Sequence, residues 1–504
     1  MDEDNPMSTT SLGEVSAAVD AAARAQTAWA DRSLKDRYRA LQDLADRVLE
    51  RADAIADIIG EETGKSSGEA LLNEVSGIGQ YIDVAYKEAK AALRPQKPSL
   101  SRVAYPGKKA LIRPVPRGVV GIIAPWNYPF SIFYKPLFPA LFAGNAVVLK
   151  PSEYTPRTGA WLAAQCAEVL GPDLVQVVQG KGEVGQALID NVDAITFTGS
   201  VATGKKVAAR AAERLIPASV ELGGNDAAIV LDDCRLERTL AGIAHWSLHN
   251  CGQNCGAIER LYVDQAIADD FLPRLANLFD AARVYPNEPH SDLGLMQNED
   301  QLQIVADHVQ DALERGATLL AGGEPTYHPL GYRPTLLADC TEDMKVMRQE
   351  TFGPVLASAT VSGAGEAISR ANDSPYGLNA SIWTTDLSRG QTLARELDVG
   401  IASLNNHAIA GSMANIPWTG TGDTGTGIAA SRFSYHTFCR RQTIFVDKNK
   451  KPDPFWMPFD DDSLELANAL IDYSRGSLSA GLQLAGAARR RLKTISQWVK
   501  GDPS

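Results

Sequence analysis

Apolar residues recur at helical spacing through the first hundred positions. Glu14–Ala30 is Ala-rich. Ser33 stands where an N-cap would open a second helix, and Leu41, Leu44, Val48, Ile55 and Ile59 follow three, four or seven residues apart. Asp, Glu, Lys and Arg fill the complementary positions, which predicts a solvated face. The pattern changes at Ser101–Pro116 (SRVAYPGKKALIRPVP), where two extended runs flank the turn dipeptide Pro106-Gly107 and read as a projecting hairpin. Short apolar runs then alternate with helical ones. Strands are expected at Gly118–Ala124, Asn145–Lys150, Leu174–Gln179, Asp193–Thr198, Ala218–Glu221 and Asp226–Leu231. Helices are expected at Thr158–Leu170, Gly182–Ile189 and Val201–Leu215, and Ser131–Phe142 is helical or irregular. This alternation predicts an α/β protein with a parallel sheet covered on both faces, whose ligands sit beyond the carboxyl ends of the strands. A second α/β region runs to position 410. From position 450 the pattern loosens, and PDPFWMPFDDD reads as a linker.

Composition narrows the class. The chain has 504 residues, enough for two to four domains of about 100–200 residues. Its net charge of −12 argues against nonspecific nucleic-acid binding, which needs a basic face. No apolar run reaches spanning length, and the acidic start MDEDNPMSTT is unlike a secretory or transit segment, so a cytoplasmic protein is expected. Six cysteines (Cys166, Cys234, Cys251, Cys255, Cys340 and Cys439), without a CxxC pair or an HExxH motif, fit a reducing compartment and give no support to a metal site.

Several segments carry candidate chemistry. Two stretches match GxGxxG, Gly180–Gly185 and Gly420–Gly425. With 42 glycines such matches arise by chance; the first reads chiefly as a tight turn opening a helix, the second as a structural loop. Phe197-Thr198-Gly199-Ser200 runs from a strand into a helix, where Ser200 serves equally as a phosphate contact or as an N-cap. Lys150-Pro151-Ser152-Glu153 ends a strand with a cation and a carboxylate. Such a carboxylate pairs with a ribose diol and repels a 2′-phosphate. Asn250-Cys251-Gly252-Gln253-Asn254-Cys255-Gly256-Ala257 places glycines around Cys255, giving close backbone access to a thiol that is a strong nucleophile once ionised.

Taken in order, these segments resemble the aldehyde dehydrogenase superfamily from Glu14 to Asp447. The resemblance also rests on Pro125-Trp126-Asn127-Tyr128-Pro129, Val220-Glu221-Leu222-Gly223-Gly224-Asn225, Glu350-Thr351-Phe352-Gly353-Pro354-Val355 and Asn372-Asp373-Ser374-Pro375-Tyr376-Gly377-Leu378. It implies a Rossmann-like NAD-binding domain (1–100 and 117–222), an α/β catalytic domain (223–418), a β-hairpin oligomerisation arm (101–116 and 434–448) and a C-terminal extension (449–504). Cys255 would be the nucleophile, Asn127 and the Cys255 N–H the oxyanion donors, and Glu221 the base that hydrolyses the thioester. The cofactor would lie against Trp126, Lys150, Ser152, Glu153, Gly182, Thr198, Gly199, Ser200, Leu222, Gly223, Glu350 and Phe352. Glu153 favours NAD, with NADP possible.

The same resemblance implies an aldehyde tunnel lined by Tyr128, Ile132, Tyr134, Asn254 and Gly256, suited to an apolar or aromatic aldehyde, and places Lys135 near the active site. It implies a homodimer or homotetramer built through the arm. The chain departs from the family at Pro417–Gly427, where a Lys and a Ser of the motif are replaced, and in its tail. The tail is expected to pack as a helix on its own subunit or dimer mate rather than on a membrane. Three other readings stay open: an NADP-preferring semialdehyde dehydrogenase, a cofactor-independent thiol esterase, and a silent binding protein on the same fold.

Overall fold

The computed structural model describes residues 8–101, 105–285, 291–476 and 480–501. The chain divides into two compact units, residues 1–93 with 115–440, and residues 94–114 with 441–504.

The first unit holds two large sheets and two short two-stranded ones. One has five parallel strands in the order Val175–Val177, Ala146–Lys150, Val119–Ile123, Ala194–Thr198, Ala218–Glu221. The chain enters at the central strand, Val119–Ile123, moves outward to one edge, then returns to build the other side. The order therefore reverses between Val119–Ile123 and Ala194–Thr198, and the carboxyl ends of those two strands flank a natural crevice. The central strands read as unbroken apolar runs because helices bury both faces. The second sheet has seven strands in the order Ile401–Leu404, Asn379–Trp383, Asp226–Val230, Ile258–Asp264, Val355–Val361, Thr335–Ala338, Thr318–Ala321, with only the last antiparallel.

The N-terminal helices differ from the sequence reading in two ways. Ser33 caps Leu34–Leu49, but Ile55 and Ile59 belong to a separate helix, Ala52–Thr63. Val48 and Ile55 are seven residues apart, so the apolar spacing runs through the break without registering it. Nor is the charged face wholly solvated: Arg37, Lys65, Glu74 and Glu88 are all buried. Ser131–Ala143 is helical in spite of Pro136 and Pro139, and Phe133, Leu137, Phe138, Leu141 and Phe142 are all buried. Its first turn is capped from elsewhere in the chain: the Glu74 carboxylate accepts from the N–H groups of Phe130 (2.9 Å) and Ser131 (3.2 Å).

The second unit holds most of a strand pair, Lys108–Pro116 with Cys439–Asp447, and Ile112 also bridges Gln96. The partner of this strand is thus far along the chain. Residues 102–104 of the expected hairpin lie outside the described residues. The tail is more ordered than its pattern suggests. Helices Asp461–Ser474 and Ala480–Val499 pack on each other through Leu466, Ala469, Leu484 and Ala487. The pattern hides this pairing because small alanines and one buried arginine, Arg491, take core positions. PDPFWMPFDDD is no free linker: Arg491 donates to the carbonyls of Pro454, Trp456 and Pro458 and pairs with Asp460 at 2.9 Å. Among the described residues no helix is long and apolar enough to cross a membrane.

Candidate active site

A cleft of about 1020 Å³ opens at the strand-order reversal. Strand ends supply much of its wall: Trp126 and Asn127 follow Val119–Ile123, Lys150 with Ser152 and Glu153 follows Ala146–Lys150, and Thr198, Gly199 and Ser200 follow Ala194–Thr198. Gly182 opens a helix on one side, and Leu222, Gly223, Glu350 and Phe352 close the other. Trp126 and Phe352 meet edge to face, ring centres 5.5 Å apart. Cys255 reaches the same cavity. Sequence reasoning missed further wall residues, among them Gln186, Lys206, Val207 and Arg210. They sit within about three helical turns of the glycine and serine motifs, where nothing but helical phase marks them.

Ser200 caps Val201–Glu213, accepting from the Thr203 N–H at 3.4 Å. Lys150 donates to the Pro151 carbonyl and stands 4.0 Å from the half-exposed Glu153 carboxylate. Burial lowers the Lys150 pKa, and Glu153 opposes that shift.

The segment that carries the thiol is tightly determined. Asn250, Cys251 and Gly252 are successive left-handed residues, with φ of 55°, 56° and 69°. For a cysteine this conformation costs on the order of 1–2 kcal/mol, so surrounding bonds must hold it. The Glu69 carboxylate accepts from the Asn250 N–H at 2.8 Å. The Asn250 side chain donates to the carbonyls of Asn127 (3.0 Å) and Gln253 (2.9 Å). Gly252 is obligatory: a Cβ there would lie 1.9 Å from the Gly353 carbonyl oxygen. The Asn127 amide donates to the Gln253 carbonyl at 3.1 Å, and its own oxygen is buried without a partner. Among the described residues nothing accepts from the Cys255 backbone N–H. Cys251 is a different kind of thiol, buried with its sulfur 3.9 Å from that of Met296.

The electrostatics are strongly acidic. Burial pushes the Cys255 thiol up to about 12, and the Asp226, Glu350 and Glu221 carboxylates add to the shift, while the Lys135 ammonium opposes it. Burial also pushes Glu350 up to about 7, although it accepts from the Gly224 N–H at 3.0 Å. Glu259 lies beneath, accepting from the N–H groups of Thr351 (2.7 Å) and Phe352 (2.8 Å). It thereby holds Phe352 at its φ of 50°. Lys135 is itself lowered by burial.

Glu221 ends the last strand of the five-stranded sheet but does not line the cleft. Burial raises its pKa well above the usual carboxylate value, one bond from the Ala429 backbone opposing this, and Oε1 is buried without a partner. The side chain points at the altered loop. Gly427 lies so close that a Cβ there would be 2.2 Å from Oε1. Two short pairings shape that loop, Trp418–Thr419 with Ile428–Ala429 and Thr421–Gly422 with Tyr376–Gly377. Thr424 pins it: its backbone carbonyl accepts from the Leu222 N–H (2.9 Å), and its hydroxyl donates to the Gly223 carbonyl (3.1 Å) and accepts from the Gly377 N–H (3.1 Å). Of the GxGxxG glycines, Gly425 bridges Glu221 and approaches the Val220 carbonyl, whereas Gly420 and Gly422 lie against Thr424 and Pro375.

Of the five residues expected along an aldehyde tunnel, none is among the described lining of this cleft. Tyr134 is buried, with its ring against Tyr81, Phe130 and Phe138. Ile132 is partly buried against the same core. Asn254 accepts from the Gly256 N–H at 3.1 Å, and Gly256 lies under the Trp418 ring. The Tyr128 hydroxyl meets His249 Nδ1 at 2.9 Å, and His249, Trp246 and His245 form one ring cluster. Burial, with His245 and Lys65, pushes His249 down to about 3, so it is neutral at physiological pH. These histidines went unnoticed because they flank the cysteine motif as ordinary helix residues.

Residues 6–444 match the model of the family described as the aldehyde dehydrogenase family. A 4,4'-diapolycopene aldehyde oxidase from Methylomonas sp is 37% identical over 456 residues, covering 90% of this chain and 86% of that protein. A Mycobacterium ulcerans protein, named provisionally as an NADP(+) succinate-semialdehyde dehydrogenase, is 36% identical over 466 residues, with 89% and 88% covered. Among solved structures, an NAD-dependent aldehyde dehydrogenase from Sinorhizobium meliloti superposes with a TM-score of 0.83 at 34% identity, covering 89% of each chain.

Proposed function

Because the chain belongs to the aldehyde dehydrogenase family and so oxidises aldehydes with NAD or NADP, we propose that Cys255 is the nucleophile that carries this oxidation to a carboxylic acid. The observation that carries the reading is the shared cavity: Cys255 and Asn127 open onto the same cleft as Lys150, Glu153, Ser200 and Glu350.

The residues present fit a nicotinamide dinucleotide. The cleft lies at the strand-order reversal, Gly199 and Ser200 start a 13-residue helix at its wall, and Lys150 and Glu350 supply a cation and a carboxylate. When bound, that cofactor accepts the hydride. Glu153 stands where a ribose diol is welcome and a 2′-phosphate is repelled, so NAD is the preferred form. Arg210 in the cleft wall is already committed to Asp190 and Glu213.

Cys255 gives its proton to water in the cleft and attacks the aldehyde carbon as a thiolate, forming the oxyanion of a thiohemiacetal. The Asn127 amide and the Cys255 N–H stabilise the oxyanion. Loss of hydride leaves a thioester on sulfur. Glu221 leaves its place against Gly427, ionises, and takes a proton from the water that hydrolyses this thioester. Lys135 offsets part of the negative field at the sulfur. Tyr128, Ile132, Asn254 and Gly256 face the aldehyde together with Trp418, Trp246 and His249. That apolar and aromatic set suits an apolar aldehyde better than a semialdehyde acid. The subunit works in the cytoplasm as a homodimer or homotetramer joined through the strand pair 108–116 and 439–447.

Reduction of NAD by hexanal, benzaldehyde and succinic semialdehyde, compared for wild type and Cys255→Ala, tests this reading. Turnover is expected with the first two substrates and loss of about a thousandfold or more in the variant. Activity surviving in Cys255→Ala removes the nucleophile assignment, and ester cleavage without any NAD requirement favours a thiol esterase instead.

A further inference from the structure

The C-terminal unit carries a feature that aldehyde oxidation does not use. The family model matches to residue 444, and the loop Phe455–Phe459 lies beyond that match. Within that loop, Phe455, Trp456, Met457 and Phe459 are 45%, 59%, 58% and 75% exposed, four large apolar side chains in five residues. Exposed patches of this kind in a folded protein mark interaction surfaces.

The loop is built, not loose. Arg491 is fully buried and donates to the carbonyls of Pro454, Trp456 and Pro458, while its ion pair with Asp460 closes the other end. One guanidinium thus satisfies the inward-facing backbone of the loop, and the side chains between those carbonyls are left facing solvent.

Charge identifies what the loop meets. Residues 94–114 and 441–504 hold sixteen Lys and Arg against eight Asp and Glu, while the whole chain is at −12. Lys448, Lys450 and Lys451 are exposed immediately before the loop, whereas Lys108 is neutralised by Asp447 and Asp453. A basic run beside Trp and Phe is the composition that seats a protein at the headgroup level of an anionic bilayer. We propose that the C-terminal unit is a membrane-docking module, with the Phe455–Phe459 loop lying in the interfacial layer of an anionic lipid surface and Lys448, Lys450 and Lys451 resting on the headgroups. Docking is monotopic, since no described helix can span.

The test uses the full chain and vesicles of phosphatidylcholine, with and without phosphatidylglycerol, separated by flotation. Wild type is expected to float with the anionic vesicles and to be released by salt. The combined variant Phe455→Ser, Trp456→Ser, Phe459→Ser is expected to lower the bound fraction about tenfold or more. The variant Lys448→Glu, Lys450→Glu, Lys451→Glu is expected to remove the preference for phosphatidylglycerol. Both should keep wild-type circular dichroism and turnover of a water-soluble aldehyde. Absence of wild type from both vesicle fractions overturns the proposal whatever the variants do. So does equal flotation of wild type and the serine variant. If no form floats and the serine variant instead converts an oligomer to a smaller species in light scattering, the surface belongs to a second copy of this chain.

Discussion

The Lys65 ammonium and the Glu74 carboxylate face each other at 2.5 Å, with side chains only 1% and 0% exposed. The same Lys65 nitrogen donates to the Asn127 carbonyl, and its charge lies 4.3 Å from the centre of the Tyr128 ring. The other Glu74 oxygen caps the helix that begins at Ser131. One buried pair therefore sets the position of Asn127 from two sides. Removing one partner leaves an uncompensated buried charge. Lys65→Met is expected to cost about 3–5 kcal/mol of stability, read by urea unfolding, and to lower kcat more than it raises KM.

Asn127→Ala tests the oxyanion role apart from the backbone role, because the carbonyl that receives Lys65 and Asn250 remains. The expected outcome is a fall in kcat of about 10²–10³ with NAD binding retained, measured by steady-state kinetics and by cofactor titration. Cys251→Ala is the matched control, since that sulfur lies against Met296, and its kcat should match wild type.

Glu221 has a raised pKa because it is buried, so it is protonated where an exposed glutamate is ionised. A base in that state gains activity as pH rises through its raised value. The deacylation rate of wild type should climb with pH, and Glu221→Gln should remove the climb. In the variant, a rapid burst of NADH, about one per active site, should precede a slow steady state. Stability carries the opposite sign. The folded protein holds this proton above the ordinary value of 4.5, where the unfolded chain releases it, so wild type loses stability as pH rises from there toward the folded pKa. The glutamine variant should lose less over the same range in thermal melts.

Gly427→Ala probes the same carboxyl from the loop side. The new methyl group would land 2.2 Å from Glu221 Oε1 and 2.8 Å from the Val220 carbonyl oxygen, and the second of these is backbone that cannot step aside. A destabilisation of about 1–3 kcal/mol is expected, with slowed deacylation and an unchanged burst rate in stopped flow.

Glu153→Ser addresses cofactor choice. Removing the carboxylate at the end of Ala146–Lys150 leaves Lys150 without its opposing charge at 4.0 Å. The ratio of kcat/KM for NADP over NAD should rise about tenfold or more. An unchanged ratio would mean that other groups set the preference.

The parallel sheet was legible because its strands are bounded apolar runs, as at Val119–Ile123, and bounded runs survive burial on both faces. The cysteine segment was legible because its glycines have a local steric purpose. The supporting shell was not. Lys65, Glu69 and Glu74 occupy helical positions that look solvated, and only contacts with Asn127, Asn250 and Ser131, far along the chain, show otherwise. Arg491 misled in the same way: an arginine within a basic run gives no local sign that it is a core residue. The loop at Pro417–Gly427 departs from the family motif at its Lys and Ser, yet Thr424 still ties it to Leu222 and Gly223, a relation carried by hydroxyl and backbone rather than by charge.

A buried sulfhydryl pushed up to about 12 stays protonated at rest, and a protonated sulfhydryl reacts poorly with peroxide or with alkylating agents. Iodoacetamide should therefore label Cys255 slowly in the free protein, and faster as pH rises.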